Sequence, residues 1–97
     1  MRSIALDIET TGLNFLEGHK IVEIGCVELL NSFPSGKTWQ RYINPERPMP
    51  EEAFKIHGLS EEFLSNKPVF SDIIDDFLNF IKDSDLIIHN SRFDLTF

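Results

Sequence analysis

Apolar and polar positions alternate from Ser3 to Glu9, where Ile4, Leu6 and Ile8 interleave with Ala5, Asp7 and Glu9. A period of two predicts a strand with one buried face, and Thr10-Thr11-Gly12 punctuates its end. A second β-rich run spans Lys20 to Leu30, and Asn31 to Gly36 (N-S-F-P-S-G) reads as a turn. Lys37 to Asn44 predicts a third strand with Trp39 and Tyr42 as bulky, half-buried residues. Three strands in close succession predict an antiparallel meander. Asn44-Pro45, Pro48 and Pro50 then interrupt any ladder, and Glu51 to His57 reads as a short helix stopped by Gly58. Ser60 is placed to cap a second short helix opened by Glu61 and Glu62. A third helix starts near Ser71-Asp72, with Ile73, Ile74, Phe77, Leu78 and Ile81 on one apolar face. Asp85 to His89 (D-L-I-I-H) reads as a short buried strand, after which Asn90 is placed to cap a helix from Ser91.

Strands, then helices, then a strand imply that the last strand runs parallel to an earlier one through a right-handed crossover. The expected fold class is α/β: a mixed sheet, an antiparallel three-strand meander plus a parallel strand, with flanking helices. The final helix is cut off at Phe97, so the chain reads as a domain truncated on its C-terminal side. It contains no internal repeat, low-complexity segment or linker.

Charge narrows the function classes. Nine basic residues stand against sixteen acidic ones, a net charge of −7. That disfavours a protein gripping nucleic acid by bulk phosphate neutralisation, and it suits one holding a phosphodiester through divalent cations. Lys20, Lys37, Arg41, Arg47, Lys55 and Arg92 are scattered and form no basic stripe. No run of eighteen apolar residues exists, so no membrane partner is expected. Asp7 and Glu9 interrupt any signal-peptide core at the N-terminus. The single cysteine, Cys26, excludes an internal disulfide and fits a reducing cytoplasm, the expected location.

Asp7 and Glu9, two apart on a strand, project from one face with Cα atoms roughly 6.5–7 Å apart. Alone, a D-x-E pair is also what an ordinary solvated strand face looks like. Its position at the carboxyl end of a strand, where open sheets place ligands, favours chemistry, as does the small Ala5 beside it. Asp94 follows the last strand by a few residues. If the first and last strands are parallel neighbours, Asp7, Glu9 and Asp94 converge on one corner. Three oxygen donors suit Mg²⁺ or Mn²⁺, and no Cys/His spacing for zinc occurs.

D-I-E-T-T-G-L at 7–13 resembles the first motif of the DEDD-type 3′–5′ exonucleases, and H-N-S-R-F-D-L-T-F at 89–97 resembles their second. E-G-H-K-I-V-E-I-G at 17–25 and E-A-F-K-I-H-G-L at 52–59 resemble the epsilon proofreading subunits of bacterial DNA polymerase III. The resemblance runs through essentially the whole chain. It implies a ribonuclease-H-like fold and removal of nucleotides from a single-stranded or frayed DNA 3′ end. It implies two divalent cations, Mg²⁺ or Mn²⁺, held by Asp7, Glu9 and Asp94 as the catalytic groups, and polymerase III core subunits as partners. By the same resemblance, Thr10, Thr11, Gly12 and Leu13 approach the terminal sugar and base, and Ala53, Ile56 and His57 line the pocket for the terminal nucleotide. Read without it, His57 is an ordinary imidazole near a helix C-terminus.

The family's third motif, a histidine followed five residues later by an aspartate, does not occur separately here. His89 and Asp94 have that spacing, but they belong to the second motif. Two further readings therefore stand beside a DNA exonuclease: an RNA-directed exonuclease of the same superfamily, and a non-catalytic remnant that binds metal or a replication partner. An uncovered Leu86-Ile87-Ile88 strand would be a sheet edge able to pair with a second copy. Trp39, Phe77, Phe80 and the other phenylalanines are expected in the core, and Glu23 is expected to pair with a basic group.

Overall fold

A computed structural model describes residues 1–12 and 20–88. Among these residues four strands and three helices follow one another: β1 (Arg2–Thr10), β2 (Ile21–Leu30), β3 (Phe33–Tyr42), α1 (Glu51–His57), α2 (Glu61–Leu64), α3 (Phe70–Ile81) and β4 (Asp85–Ile88). The sheet order is β3-β2-β1-β4, with β1 antiparallel to β2, β2 antiparallel to β3, and β4 parallel to β1. This is the expected meander plus a parallel strand.

Alternation along β1 does what its period dictates. Ile4, Leu6 and Ile8 are buried and join Ile24, Cys26, Trp39, Ile43 and Ile73 in one core. The helix α3 closes that core, packing Phe77 against Trp39 with ring centroids 5.5 Å apart. Its apolar face is rotated slightly from expectation: Phe80 packs against the core, whereas Leu78 is exposed.

A buried ionic knot fixes the far end of α3. The Arg2 guanidinium meets Glu28 Oε2 at 2.5 Å, donates to the Lys82 carbonyl at 2.8 Å and also donates to the Phe80 carbonyl. Helix ends leave such carbonyls without partners, and Arg2 supplies the donors. Ser35 Oγ donates to the other Glu28 oxygen at 2.7 Å. These bonds, led by that from Arg2, hold the Glu28 carboxyl below its ordinary value.

Two sequence expectations are corrected. The turn after β2 is only Asn31-Ser32, both at positive φ (51° and 74°), as a two-residue hairpin loop matched to strand twist requires. β3 therefore starts at Phe33 and runs through Pro34 and Gly36. It is an outer strand, where a proline's missing N–H is tolerated, and a register shift between Val27 and Leu29 absorbs the irregularity. The last strand is not buried: every residue of β4 is exposed. Phe33, Phe54 and Phe63 are likewise exposed rather than in the core. Among the described residues no helix is long and apolar enough to cross a membrane.

Candidate active site

Register places the two motif carboxylates. β1 lies between β2 and β4, and the residues alternate with the core set, so Asp7 and Glu9 share the face turned away from α3. Gly25 stands opposite Asp7 on β2. A Cβ there would meet nothing nearer than the Asp7 carbonyl oxygen at 3.9 Å, so the space over Asp7 is open. On the other side, Ile88 at the end of β4 pairs with Leu6. The chain thus leaves β4 one residue short of Asp7, at the same end of the sheet. Asp94, Leu13, His89 and Asn90 lie outside the described residues, so their predicted roles are not placed by the geometry.

Glu23 is directly opposite Glu9 across the β1–β2 ladder. Like charges facing each other weaken a sheet. The expected basic partner for Glu23 is replaced by a neutral one: Gln40 donates its amide to Glu23 Oε2 at 2.8 Å. Sequence reading missed this juxtaposition because it depends on hairpin register, which an eleven-residue run of apolar residues and glutamates does not reveal.

Past Glu9 the ladder changes. Glu9 pairs with Glu23 but Thr10 pairs with Ile21, a shift that leaves Val22 out of the pairing. The Thr10 hydroxyl donates to the Gly12 carbonyl. Thr11 faces inward at 1% exposure; its amide donates to the Lys20 carbonyl at 2.8 Å and its hydroxyl accepts from the Lys20 amide at 3.0 Å. Its side chain thus ties the end of β1 to the start of β2.

α1 brings the other predicted residues to this end of β1. Gly58 caps it at φ 70°, donating its amide to the Phe54 carbonyl at 2.8 Å. The Leu59 amide donates to His57 Nδ1 at 3.0 Å, which leaves the ring proton on Nε2, 3.1 Å from the Thr10 carbonyl. His57 therefore reaches the end of β1 with both nitrogens engaged. Ala53 is buried on the inner side of α1, and Ile56 is 59% exposed one turn away.

The carboxylate pair fits a hard divalent cation by donor chemistry: all oxygen, no thiol or imidazole among the facing groups. Among the described residues no group of three or more His, Cys, Asp or Glu side chains is arranged to hold an ion. A separate cavity of about 560 Å³ opens between the start of β2, the end of β3 and the first turn of α3, lined by Lys20, Ile21, Ile43, Asn44, Phe70 and Ile74 among others. It contains none of the predicted site residues.

The chain is 59% identical over 97 residues to the DNA polymerase III subunit epsilon of Rickettsia prowazekii and 58% identical to that of Rickettsia conorii. All of the chain aligns in both cases, and it spans 42% of the length of each relative. Among solved structures, exonuclease X in complex with 5′ overhanging duplex DNA superposes with a TM-score of 0.71 at 28% identity, covering 95% of this chain and 51% of that one. The nuclease domain of 3′hExo, a DEDDh family member, superposes with a TM-score of 0.74 at 18% identity over 93% of this chain and 52% of that one, a likeness of fold. The Exonuclease family model, RNase_T, matches residues 4–97, and the chain belongs to that family.

Proposed function

We propose that this chain is the N-terminal part of a metal-dependent 3′–5′ exonuclease domain that removes nucleotides from DNA 3′ ends as the proofreading subunit of a cytoplasmic replicative polymerase. The observation that carries this reading is the pair Asp7 and Glu9, side by side on the open face at the end of an inner strand, with the exit of β4 beside them. The family and the named relatives support the reaction class; the relatives' name supports polymerase III core subunits as partners.

Asp7, Glu9 and Asp94 would hold the cations, Mg²⁺ or Mn²⁺. Held there, such ions would supply the Lewis acidity that lowers the pKa of an attacking water and offsets the charge on a leaving 3′ oxygen. The protein's own residues frame the end of the strand. Thr10, Gly12 and Leu13 meet the terminal sugar and base, backed by the buried Thr11. Ile56 and the ring of His57 form the opposite wall, backed by the buried Ala53. Both His57 nitrogens are engaged within the fold, so the imidazole offers a nucleotide its ring rather than a hydrogen bond. The general base of the third motif is not among these residues, and losing such a base costs about 10²–10⁴-fold.

The test is hydrolysis of a 5′-labelled single strand in Mn²⁺ by the chain, beside Asp7→Ala, with calorimetric Mn²⁺ titration of Asp7→Ala and Asp94→Ala. Stepwise shortening lost in Asp7→Ala, with Mn²⁺ binding weakened in both variants, is expected. Unchanged titrations in both would refute the shared metal site. An RNA strand run in parallel separates the RNA-directed alternative.

A further inference from the structure

We propose that His57 is a positioning residue: it fixes the backbone just beyond Glu9, and through it the aim of the Asp7–Glu9 pair, instead of contacting the nucleotide through its nitrogens. This rests on the carboxylate-site reading given above.

Two independent features meet at Thr10. The β1–β2 ladder shifts register between Glu9 and Thr10. The extra residue, Val22, is on β2; such an irregularity disrupts the ladder locally and increases its twist beside Glu9 and Thr10. At that same point the Thr10 carbonyl receives the Nε2–H of His57 at 3.1 Å. Beside the shift, α1 adds a bond to β1 from outside the ladder.

The tautomer is set by the turn behind the histidine. Gly58 adopts φ 70° with open space where a Cβ would stand, so the position needs glycine for its backbone. That conformation carries the Leu59 amide back onto Nδ1 at 3.0 Å. With Nδ1 accepting, the ring proton has only Nε2 to occupy, and it points at Thr10. The chain of dependence runs from Gly58 through Leu59 and the imidazole to the carbonyl of Thr10, the residue after Glu9. A metal ligand aimed by such a partner loses affinity when the partner is removed.

The experiment measures Mn²⁺ affinity of wild type, His57→Phe and His57→Gln, at a temperature where circular dichroism shows all three folded. Phenylalanine keeps the ring and removes both bonds. Glutamine restores an amide N–H able to reach the Thr10 carbonyl. His57→Phe is expected to weaken Mn²⁺ binding about tenfold, the lower end of what partners that orient metal ligands contribute, and His57→Gln to recover most of that loss. Mn²⁺ affinity equal to wild type in His57→Phe, or a glutamine variant as weak as phenylalanine, overturns the proposal. Wild type that binds no Mn²⁺ removes the carboxylate-site reading itself, and this assignment with it. Nitrogen-15 NMR of the wild-type imidazole gives a check that needs no variant: protonated Nε2 with bare Nδ1 at neutral pH is expected, and the opposite tautomer refutes the dependence on Leu59.

Discussion

Glu28 shows how much of one residue's behaviour is set by neighbours distant in sequence. It lies on the core face of β2, where an isolated carboxylate would be costly, yet Arg2 and Ser35 both donate to it. Those bonds lower its carboxyl below the ordinary glutamate value of 4.5. A carboxyl whose folded value is depressed adds stability above the unfolded value, and that stability is lost as pH falls through the folded one. Melting temperatures measured from pH 6 to pH 3 should therefore drop as the medium becomes more acid than about 4.5. Glu28→Gln should flatten part of that drop while lowering stability at pH 6. An identical acid profile in the variant would show that Glu28 stays ionised in neither state differently. Cys26 behaves oppositely: burial pushes its thiol up to about 11, so it stays protonated and unreactive near neutral pH.

Elements were legible where local rules decide them. The period of two in β1, the serine cap of α2 and the glycine stop of α1 all sit where their chemistry puts them, with Ser60 Oγ accepting from the Phe63 amide at 3.0 Å. The start of β3 was not legible, because Pro34 and Gly36 read as a turn unless the strand is known to be an outer one. Glu23 facing Glu9 and His57 bonded to Thr10 escaped sequence reading for a related reason. Each depends on register or on docking between segments far apart in the chain, and neither leaves a periodic trace. Gly58 yields the sharpest expectation at this scale. Any side chain at φ 70° is strained by roughly 1–2 kcal/mol, and nothing within 4 Å would clash with a methyl group. Gly58→Ala should lower the unfolding free energy by that amount, read as a lower urea midpoint with the slope unchanged. An unaltered midpoint would mean that the turn relaxes freely.

At the scale of the whole molecule, the two outer strands of the sheet differ among the described residues. The Pro34-bearing β3 guards one edge with its proline and its register shift, two devices that discourage pairing with another chain. β4 has neither. Leu86, Ile87 and Ile88 are 44%, 51% and 37% exposed, and the exposed Leu78 of α3 follows the same pattern. Four residues of β4 pair with β1, and among the described residues no strand pairs with its outer side. The relatives are more than twice as long as this chain, which spans 42% of them, so a longer protein has material with which to cover such an edge. For the 97-residue chain by itself, edge pairing between two copies through β4 is the expected outcome. Sedimentation equilibrium should show mass rising with concentration, and Ile87→Lys, which sets a charge on the exposed strand without disturbing the core, should return it to a monomer. A monodisperse monomer at all concentrations would mean that β4 is already shielded, and the edge would then have no part in association.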